Sequence, residues 1–356
     1  MLDGSGGRGV LDLSDALSKL YQTGGSDLLL SVGTPPRMRC DGELREVDGR
    51  PLSPSDTEFL LRGVLSSDQW RTLEKVGHVD FAFTSGDGVR VRANAYRQRE
   101  TWAAAFRLLP IQIPSMEALG IPDSVRRMIS QHQGLVLVTG PTGSGKSTSL
   151  AAVIEHLNTT RPCHIITVED PIEYVHQHRL AIVDQREVGR DVATFADALR
   201  VVFREDPDVV LIGEMRDLET IAAALTIAET GHLVLATLHT NDASQAVDRI
   251  LDVFPAGLQD QARAQLSACL TGVVYQQLVP AVGGGRIAAF EVLVATHAVR
   301  ALIKGGKANQ IRNVIQTSLQ EGSQTLERAL SALVQDGTVT LEAARTKSLY
   351  PHEITV

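Results

Sequence analysis

Residues 135–157 read LVLVTGPTGSGKSTSLAAVIEHL, and this stretch indicates the fold class of the chain. Its middle part, residues 140–147, fits the phosphate-binding pattern G-x-x-x-x-G-K-[ST]. An apolar run, 135–138, precedes the pattern, and a helix-compatible run, 148–157, follows it. This order of strand, loop and helix is the context that the pattern requires, so the stretch predicts an α/β domain that binds nucleotide phosphates.

The residue types of this loop suit a triphosphate. Glycines allow positive φ and a close approach of the backbone, and N–H groups at a helix N-terminus attract anions. We expect Lys146 to reach the β- and γ-phosphates and the Ser147 hydroxyl to hold Mg²⁺, so ATP and Mg²⁺ are the expected ligands. The other expected nucleotide-binding residues of the loop are Gly140, Pro141, Thr142, Gly143, Ser144, Gly145 and Thr148. The alternative is a plain glycine-rich turn, which would need neither the lysine nor the serine.

Composition narrows the class of protein. The 356 residues are 43% hydrophobic and carry a formal net charge of −8, which suits two packed domains. No basic tract of five or more residues occurs, so nucleic acid is not expected as a partner. No run of about 18 apolar residues occurs, so no transmembrane helix is expected. The first ten residues lack a signal-peptide core and are predicted to form a flexible tail, which favours a cytoplasmic protein.

Hydrophobic periodicity divides the chain into two parts. Residues 11–109 mix helical and strand-like runs, as in a small α+β domain. Three closely spaced prolines, Pro110, Pro114 and Pro122, predict a linker at 110–120. In the second domain, 121–356, strands alternate with helices, which predicts a parallel sheet. The expected strands are 135–139, 164–168, 209–212 and 233–238, and from about 255 the chain is expected to be mostly helical, beginning with a helix over 258–279.

Two acidic residues follow expected strands. Residues 164–175, HIITVEDPIEYV, place Glu173 beyond the carboxyl end of a parallel strand, where a carboxylate can polarise an attacking water. Residues 208–217, DVVLIGEMRD, place Glu214 at the Walker B position, where we expect contact with the metal directly or through water. The alternatives are a solvated acidic loop for Glu173 and a helix cap for Glu214.

Histidines and arginines complete the candidate set. His232 and His239 flank one expected strand in GHLVLATLHT, which suggests sensing of the γ-phosphate, although a lone histidine is more often a satisfied structural group. An arginine supplied within or between subunits accelerates phosphoryl transfer. The candidate arginines are Arg90, Arg92 and Arg107 in the first domain and Arg200 and Arg204 in the second. Each one alone is equally consistent with a surface charge.

Four motifs in one order resemble a known family. GPTGSGKST, VEDPIEYVH, REDPDVVLIGEMRD and TGHLVLATLHT resemble the secretion-superfamily (type II/type IV) ATPases, and among them the PilT-type pilus retraction motors of twitching motility. The resemblance extends over about residues 11–348. It implies a PAS-like α+β N-terminal domain, a RecA-like P-loop ATPase domain with a helical C-terminal region, and a homohexameric ring with ATP at subunit contacts.

The resemblance also implies roles for individual residues. Glu173 corresponds to the catalytic glutamate, Glu214 to the Walker B glutamate, and His232 and His239 to the histidine-box pair. The five arginines correspond to residues that approach the nucleotide or a neighbouring subunit. The implied function is a motor ATPase that drives pilus retraction, peripheral to the inner face of the cytoplasmic membrane and partnered by an inner-membrane pilus platform protein.

One family signature is only partly kept. Retraction motors typically carry A-I-R-N-L-I-R-E, whereas residues 298–305 read AVRALIKG. Arg300, Leu302 and Ile303 match, but the asparagine, the second arginine and the glutamate do not. A pilus-assembly or type II secretion ATPase therefore stays open as an alternative, although no four-cysteine zinc module and no long N-terminal extension are seen in the sequence.

Two further classes of protein agree less well with the sequence. A non-enzymatic subunit that modulates a motor ring is expected to have lost Lys146, Glu173 or Glu214, and all three are present. A DNA-translocating motor is disfavoured by the negative net charge.

Overall fold

The computed structural model describes residues 12–40, 43–47, 49–86, 88–109 and 112–355. Within them the chain forms two compact units. One runs to Gln112 and includes Pro171–Val175, and the other comprises Ile113–Asp170 and the chain from His176 onward. The tail predicted for residues 1–10 and residues 110–111 of the predicted linker lie outside the described residues. None of the described helices is long and apolar enough to cross a membrane.

The N-terminal unit has the α+β architecture expected from the sequence. Its described helices are α1 (Leu13–Gln22), α2 (Pro54–Arg62) and α3 (Ser67–Val76). Its strands are β1 (Asp27–Leu30), β2 (Arg37–Cys40), β3 (Glu43–Glu46), β4 (His78–Thr84), β5 (Arg90–Gln98) and β6 (Thr101–Leu108). They form an antiparallel sheet in the order β3-β2-β1-β6-β5-β4. Leu20, Leu28 and Phe106 lie in its core, fully shielded from solvent.

A capping box begins α2. The Ser53 hydroxyl accepts a hydrogen bond from the Asp56 N–H at 3.2 Å, and the Asp56 carboxylate accepts one from the Ser53 N–H at 2.7 Å. The two residues thus satisfy donors that the first turn of a helix otherwise leaves without partners.

The second unit is built on a seven-stranded sheet. Its strands are β7 (Gly134–Thr139), β8 (His164–Glu169), β9 (Ile182–Glu187), β10 (Val209–Ile212), β11 (Leu233–Leu238), β12 (Leu270–Pro280) and β13 (Arg286–Val294). The order across the sheet is β13-β12-β7-β11-β10-β8-β9. Neighbouring strands are parallel except for the β12–β13 pair. The carboxyl ends of β7, β8, β10 and β11 therefore meet at one edge of the sheet, which confirms the expected parallel arrangement.

Helices connect the strands of this sheet, and further helices follow its last strand. The described helices are α4 (Asp123–Ile129), α5 (Lys146–Thr160), α6 (Phe195–Val201), α7 (Leu218–Glu229), α8 (Gln245–Asp252), α9 (Gln259–Cys269), α10 (His297–Lys304), α11 (Ile311–Thr317), α12 (Leu326–Gln335) and α13 (Leu341–Lys347). Every residue of β7, β10 and β11 is buried. Strands covered on both faces read as continuous apolar runs, which is why the sequence located them.

The helix predicted over 258–279 is wrong in its second half, and the region after 255 is not wholly helical. Helix α9 ends at Cys269, and the chain continues directly into β12 and, after a turn, β13. The first seven residues of β12 are all buried, so neither a period of 3.6 nor one of 2 is visible in that part of the sequence. Gly272 allows β12 to lie close to α4, because a Cβ at this position would lie 2.4 Å from Met128 Cε.

Candidate functional site

The loop between β7 and α5 is shaped by its glycines. Gly140, Gly143 and Gly145 have φ of 145°, 76° and 88°, in the region that favours glycine. A Cβ on Gly140 would lie 2.4 Å from the Gln276 carbonyl oxygen and 2.7 Å from Ser144 Oγ. The backbone can therefore follow this path only without a side chain at residue 140.

The start of α5 is suited to an anion. Its N-cap residue is Gly145, no side chain caps it, and no acidic residue stands in its first turn. The first N–H groups of a helix have no partner inside the helix and carry its positive dipole end. Within the described residues, two buried hydroxyl oxygens beside the loop, Thr139 Oγ1 and Ser144 Oγ, have no hydrogen-bond partner. This combination of donors fits a chain of phosphates.

Lys146 is folded over the loop. Its side chain is largely buried, and Nζ donates to the carbonyl oxygens of Gly140 at 2.8 Å and Pro141 at 3.0 Å. The positive charge is thus held against the loop that is expected to bind phosphate. Ser147, the expected Mg²⁺ ligand, is exposed in the first turn of α5, and Thr148 is half-buried.

Gln276 fixes the loop to the sheet and was missed by the sequence analysis. Its side chain, on β12, is buried; Nε2 donates to the Ser144 carbonyl at 2.8 Å, and Oε1 accepts from Ser149 Oγ at 2.7 Å. One amide therefore joins the loop to the first turn of α5. A polar residue within an otherwise apolar run was the available signal, but the run was assigned to a helix.

Glu214 lies two residues beyond β10 and is engaged on both oxygens. Arg216 holds it in a bidentate pair, with Nε 2.6 Å from Oε1 and Nη2 2.6 Å from Oε2. His239 Nε2 lies 3.3 Å from the same Oε1. Burial raises the pKa of Glu214, but Arg216, His239 and Lys146 together outweigh it, so the pKa lies below its usual value. The carboxylate is therefore ionised at neutral pH.

His239 follows β11 directly and connects Glu214 to the loop. It lies against Glu214 and hydrogen-bonds the Gly140 backbone. Burial and then the charge of Lys146 lower its pKa, although Glu214 acts in the opposite direction. The imidazole is therefore neutral at pH 7, so it acts as a hydrogen-bonding group rather than as a cation.

The predicted histidine pair does not form one site within the chain. His232 precedes β11 and His239 follows it, so a strand of six residues, about 20 Å long, separates them. His232 Nδ1 lies 3.1 Å from the Ile227 carbonyl oxygen, and its ring packs on Phe203 with centroids 5.9 Å apart. These contacts are typical of a structural residue. They lie at the amino end of β11, whereas the phosphate loop lies at the carboxyl end of the strands.

The predicted arginines lie in separate places. Arg92 and Arg107 are cross-strand partners on β5 and β6, and Arg90 shares their face of the N-terminal sheet because it stands two residues before Arg92. Arg107 pairs with Asp27 at 2.8 Å. In the second unit Arg200 pairs with Asp197 at 3.1 Å and Glu219 at 2.8 Å, and Arg204 is exposed.

Glu173 belongs to the N-terminal unit, within Pro171–Val175, and is half-buried. Its expected place near water and phosphate stays a prediction. Among the described residues no group of three or more histidine, cysteine or acidic side chains could hold a metal ion. The roles of Ser147 and Glu214 as Mg²⁺ ligands therefore stay a prediction; Mg²⁺ typically takes few protein ligands and completes its shell with water and phosphate oxygens.

Comparison with known proteins gives one consistent result. Residues 105–346 match the family described as Type II/IV secretion system protein. A Pseudomonas aeruginosa protein named type IV pilus retractation ATPase PilT is 45% identical over 96% of this chain and 99% of its own length. A Neisseria gonorrhoeae twitching motility protein is 44% identical over 92% of this chain and 87% of its own length. The crystal structure of the pilus retraction motor PilT with bound ADP superimposes with a TM-score of 0.91 at 46% identity, covering 96% of this chain and 98% of that one.

Proposed function

Because the chain belongs to the family of Type II/IV secretion system proteins, we propose that it is an ATPase that drives retraction of a type IV pilus. The observation that carries the proposal is the meeting of the phosphate loop, Glu214 and His239 at one edge of the parallel sheet. Open α/β sheets bind their ligands at this edge. The relatives that the chain matches over most of its length support the biological role.

Each residue at the edge has a distinct task in this proposal. The loop amides and Lys146 hold the phosphates and offset the charge that develops during transfer of the γ-phosphate. Ser147 and Glu214 hold Mg²⁺, which neutralises phosphate charge when bound. His239 hydrogen-bonds near the γ-phosphate and reports its presence to Glu214. Glu173 positions the water that attacks phosphorus in line, giving ADP and inorganic phosphate.

The assembly is the finer part of the proposal. We place the active form in a homohexamer in which Arg90, Arg92 and Arg107 approach nucleotide or a neighbouring subunit, since their guanidinium groups share one face of the N-terminal sheet. The ring acts at the inner face of the cytoplasmic membrane, docked on a pilus platform protein. Sedimentation of only monomer, at micromolar protein with nucleotide, would contradict the ring.

Hydrolysis tests the proposed site. Lys146→Ala should abolish Mg²⁺-dependent phosphate release, because it removes the charge held over the loop. Lys307→Ala, which removes an exposed lysine elsewhere, is the matched control and should hydrolyse ATP as the wild type does. Glu173→Gln should bind ATP and hydrolyse it poorly. Wild-type turnover in Lys146→Ala would refute the site.

Pilus number tests the role of the hydrolysis. A deletion strain should lose twitching and carry more pili, because filaments that are assembled would no longer be withdrawn. A strain without pili would point instead to assembly, and a strain with normal pili and normal twitching would reject both roles.

A further inference from the structure

A buried carboxylate lies behind the site and serves no part of the mechanism above. Glu291, on β13, is 2% exposed. Its Oε1 accepts a hydrogen bond from the Ala243 N–H at 2.7 Å, and its Oε2 accepts one from the Leu326 N–H at 3.3 Å. Arg312 Nη1 lies 4.0 Å from Oε2. One side chain thus joins the segment after β11 to the first turn of α12.

In the segment after β11, residues 239–245, side-chain hydrogen bonds join the residues from Thr240 to Gln245. Asp242 accepts hydrogen bonds from Ser244 Oγ at 2.6 Å and from Gln245 N and Nε2 at 2.8 and 2.7 Å. Because these bonds join the residues that directly follow His239, we expect the position of the segment relative to the sheet to depend on where it is anchored. Ala243, fully buried, supplies such an anchor through its N–H to Glu291.

His239 is the first residue of this segment. Its ring contacts Glu214 at 3.3 Å and the Gly140 backbone, so a shift of the segment moves the imidazole relative to both. A misplacement of about 1 Å at an active site can cost about 100-fold in rate. The anchor at Ala243 therefore bears on the geometry of hydrolysis even though it is remote from the phosphates.

We propose that Glu291 is a positioning residue for ATP hydrolysis, which holds segment 239–245 so that His239 stays aligned with Glu214. The inference rests on the proposed ATPase function. A carboxylate suits the task because its two oxygens accept from two backbone donors on different segments. An amide would offer one acceptor and would set its own N–H groups against the other donor. Burying an acid is costly, and burial raises the pKa of Glu291 to about 7.

The test compares two buried glutamates of the same region. Glu291→Gln keeps the volume but satisfies only one of the two backbone donors. We expect kcat for ATP to fall at least about 10-fold. KM should stay within about 2-fold, because the phosphate loop is untouched. Glu327→Gln is the control: Glu327 is as buried and pairs with Arg312 at 3.3 Å and Ser348 Oγ at 2.6 Å. It should lower thermal stability but leave kcat within about 2-fold of the wild type.

Two further measurements separate positioning from simple loss of structure. Glu291→Asp keeps both oxygens on a shorter stem and should give a kcat between those of the wild type and Glu291→Gln; if Glu291→Gln fails to fold, a reduced kcat of Glu291→Asp at unchanged KM carries the test. The losses of Glu291→Gln and His239→Ala should also fall short of additive, because both act through the same imidazole. Additive losses, or equal kcat in the two glutamine variants, would overturn the inference and leave the ATPase function standing. A wild type that does not hydrolyse ATP would overturn both.

Discussion

The two side-chain hydrogen bonds of Gln276 form a clamp that joins the phosphate loop and α5 to the sheet. The effect of removing this clamp can be calculated. In Gln276→Ala the Ser144 carbonyl and the Ser149 hydroxyl lose their partners, which the wild type holds at 2.8 and 2.7 Å. An unsatisfied buried group costs about 1–3 kcal/mol, so the loss of two partners should lower the free energy of unfolding by about 2–6 kcal/mol. For a unit of this size we expect a melting temperature lower by about 4–24 °C.

The same substitution should weaken ATP binding, because a loop released from the sheet must be ordered again when the phosphates bind. Ordering one backbone residue costs about 1–2 kcal/mol, so a single released residue corresponds to a dissociation constant roughly 5- to 30-fold higher. Isothermal titration with Mg²⁺ and ATP gives this constant, and calorimetric melting gives the stability.

Gln277→Ala is the matched control for this experiment. The neighbouring glutamine is only half-buried, and alternation along β12 directs its side chain to the other face of the sheet. It should change both quantities little. If Gln276→Ala binds ATP as tightly as Gln277→Ala while its melting temperature falls, the clamp stabilises the fold without shaping the loop, and the reasoning is refuted.

Two other predictions follow from single residues. Gly140→Ala should abolish ATP binding, since its Cβ would lie 2.4 Å from the Gln276 carbonyl oxygen at a φ of 145°, whereas Gly257→Ala, with nothing within 4 Å, should bind normally; equal affinities would contradict the described loop path. Burial raises the pKa of Glu291 to about 7, above its unfolded value of about 4.3, so the folded protein keeps a proton that the unfolded chain releases as pH rises between them. The contribution of Glu291 to the free energy of unfolding is therefore fully present below about pH 4.3. Between about pH 4.3 and pH 7 it falls by up to about 1.4 kcal/mol for each pH unit. The melting temperature of the wild type minus that of Glu291→Gln should be smaller at pH 7.5 than at pH 5. An equal difference at the two pH values would contradict this prediction.

Local pattern was enough to predict the parts of the site that lie next to one another in sequence. The phosphate loop, Lys146 and Glu214 were found because a short motif and an apolar strand define them within a few residues. Strands β7, β10 and β11 were found for a similar reason, since complete burial leaves an unbroken apolar run. What these patterns specify is local backbone and local chemistry.

The residues that were missed are supplied by distant parts of the chain. Gln276 reaches the loop because β12 pairs with β7, and Glu291 reaches Ala243 because β13 pairs with β12. No short-range pattern encodes either pairing, and the assignment of 258–279 to a helix removed β12 from consideration. The sequence places His232 and His239 on either side of one strand, as the structure does, but it does not show that His232 packs at the far end from the phosphate loop.

The partly kept signature on α10 contains residues that pack against the rest of the protein and residues that face solvent. The retained Arg300 donates to the carbonyl oxygens of Ala295 and Ser267 at 3.1 Å each, which ties α10 to the last turn of α9, and the retained Ile303 is fully buried. Four positions differ from the signature: Ala301, Lys304 and Gly305 are exposed, whereas Val299, which replaces an isoleucine, is buried. Substitutions at exposed positions leave the packing beneath α10 intact, so the fold that supports hydrolysis is kept. The three exposed changes alter the chemistry that this surface presents to solvent.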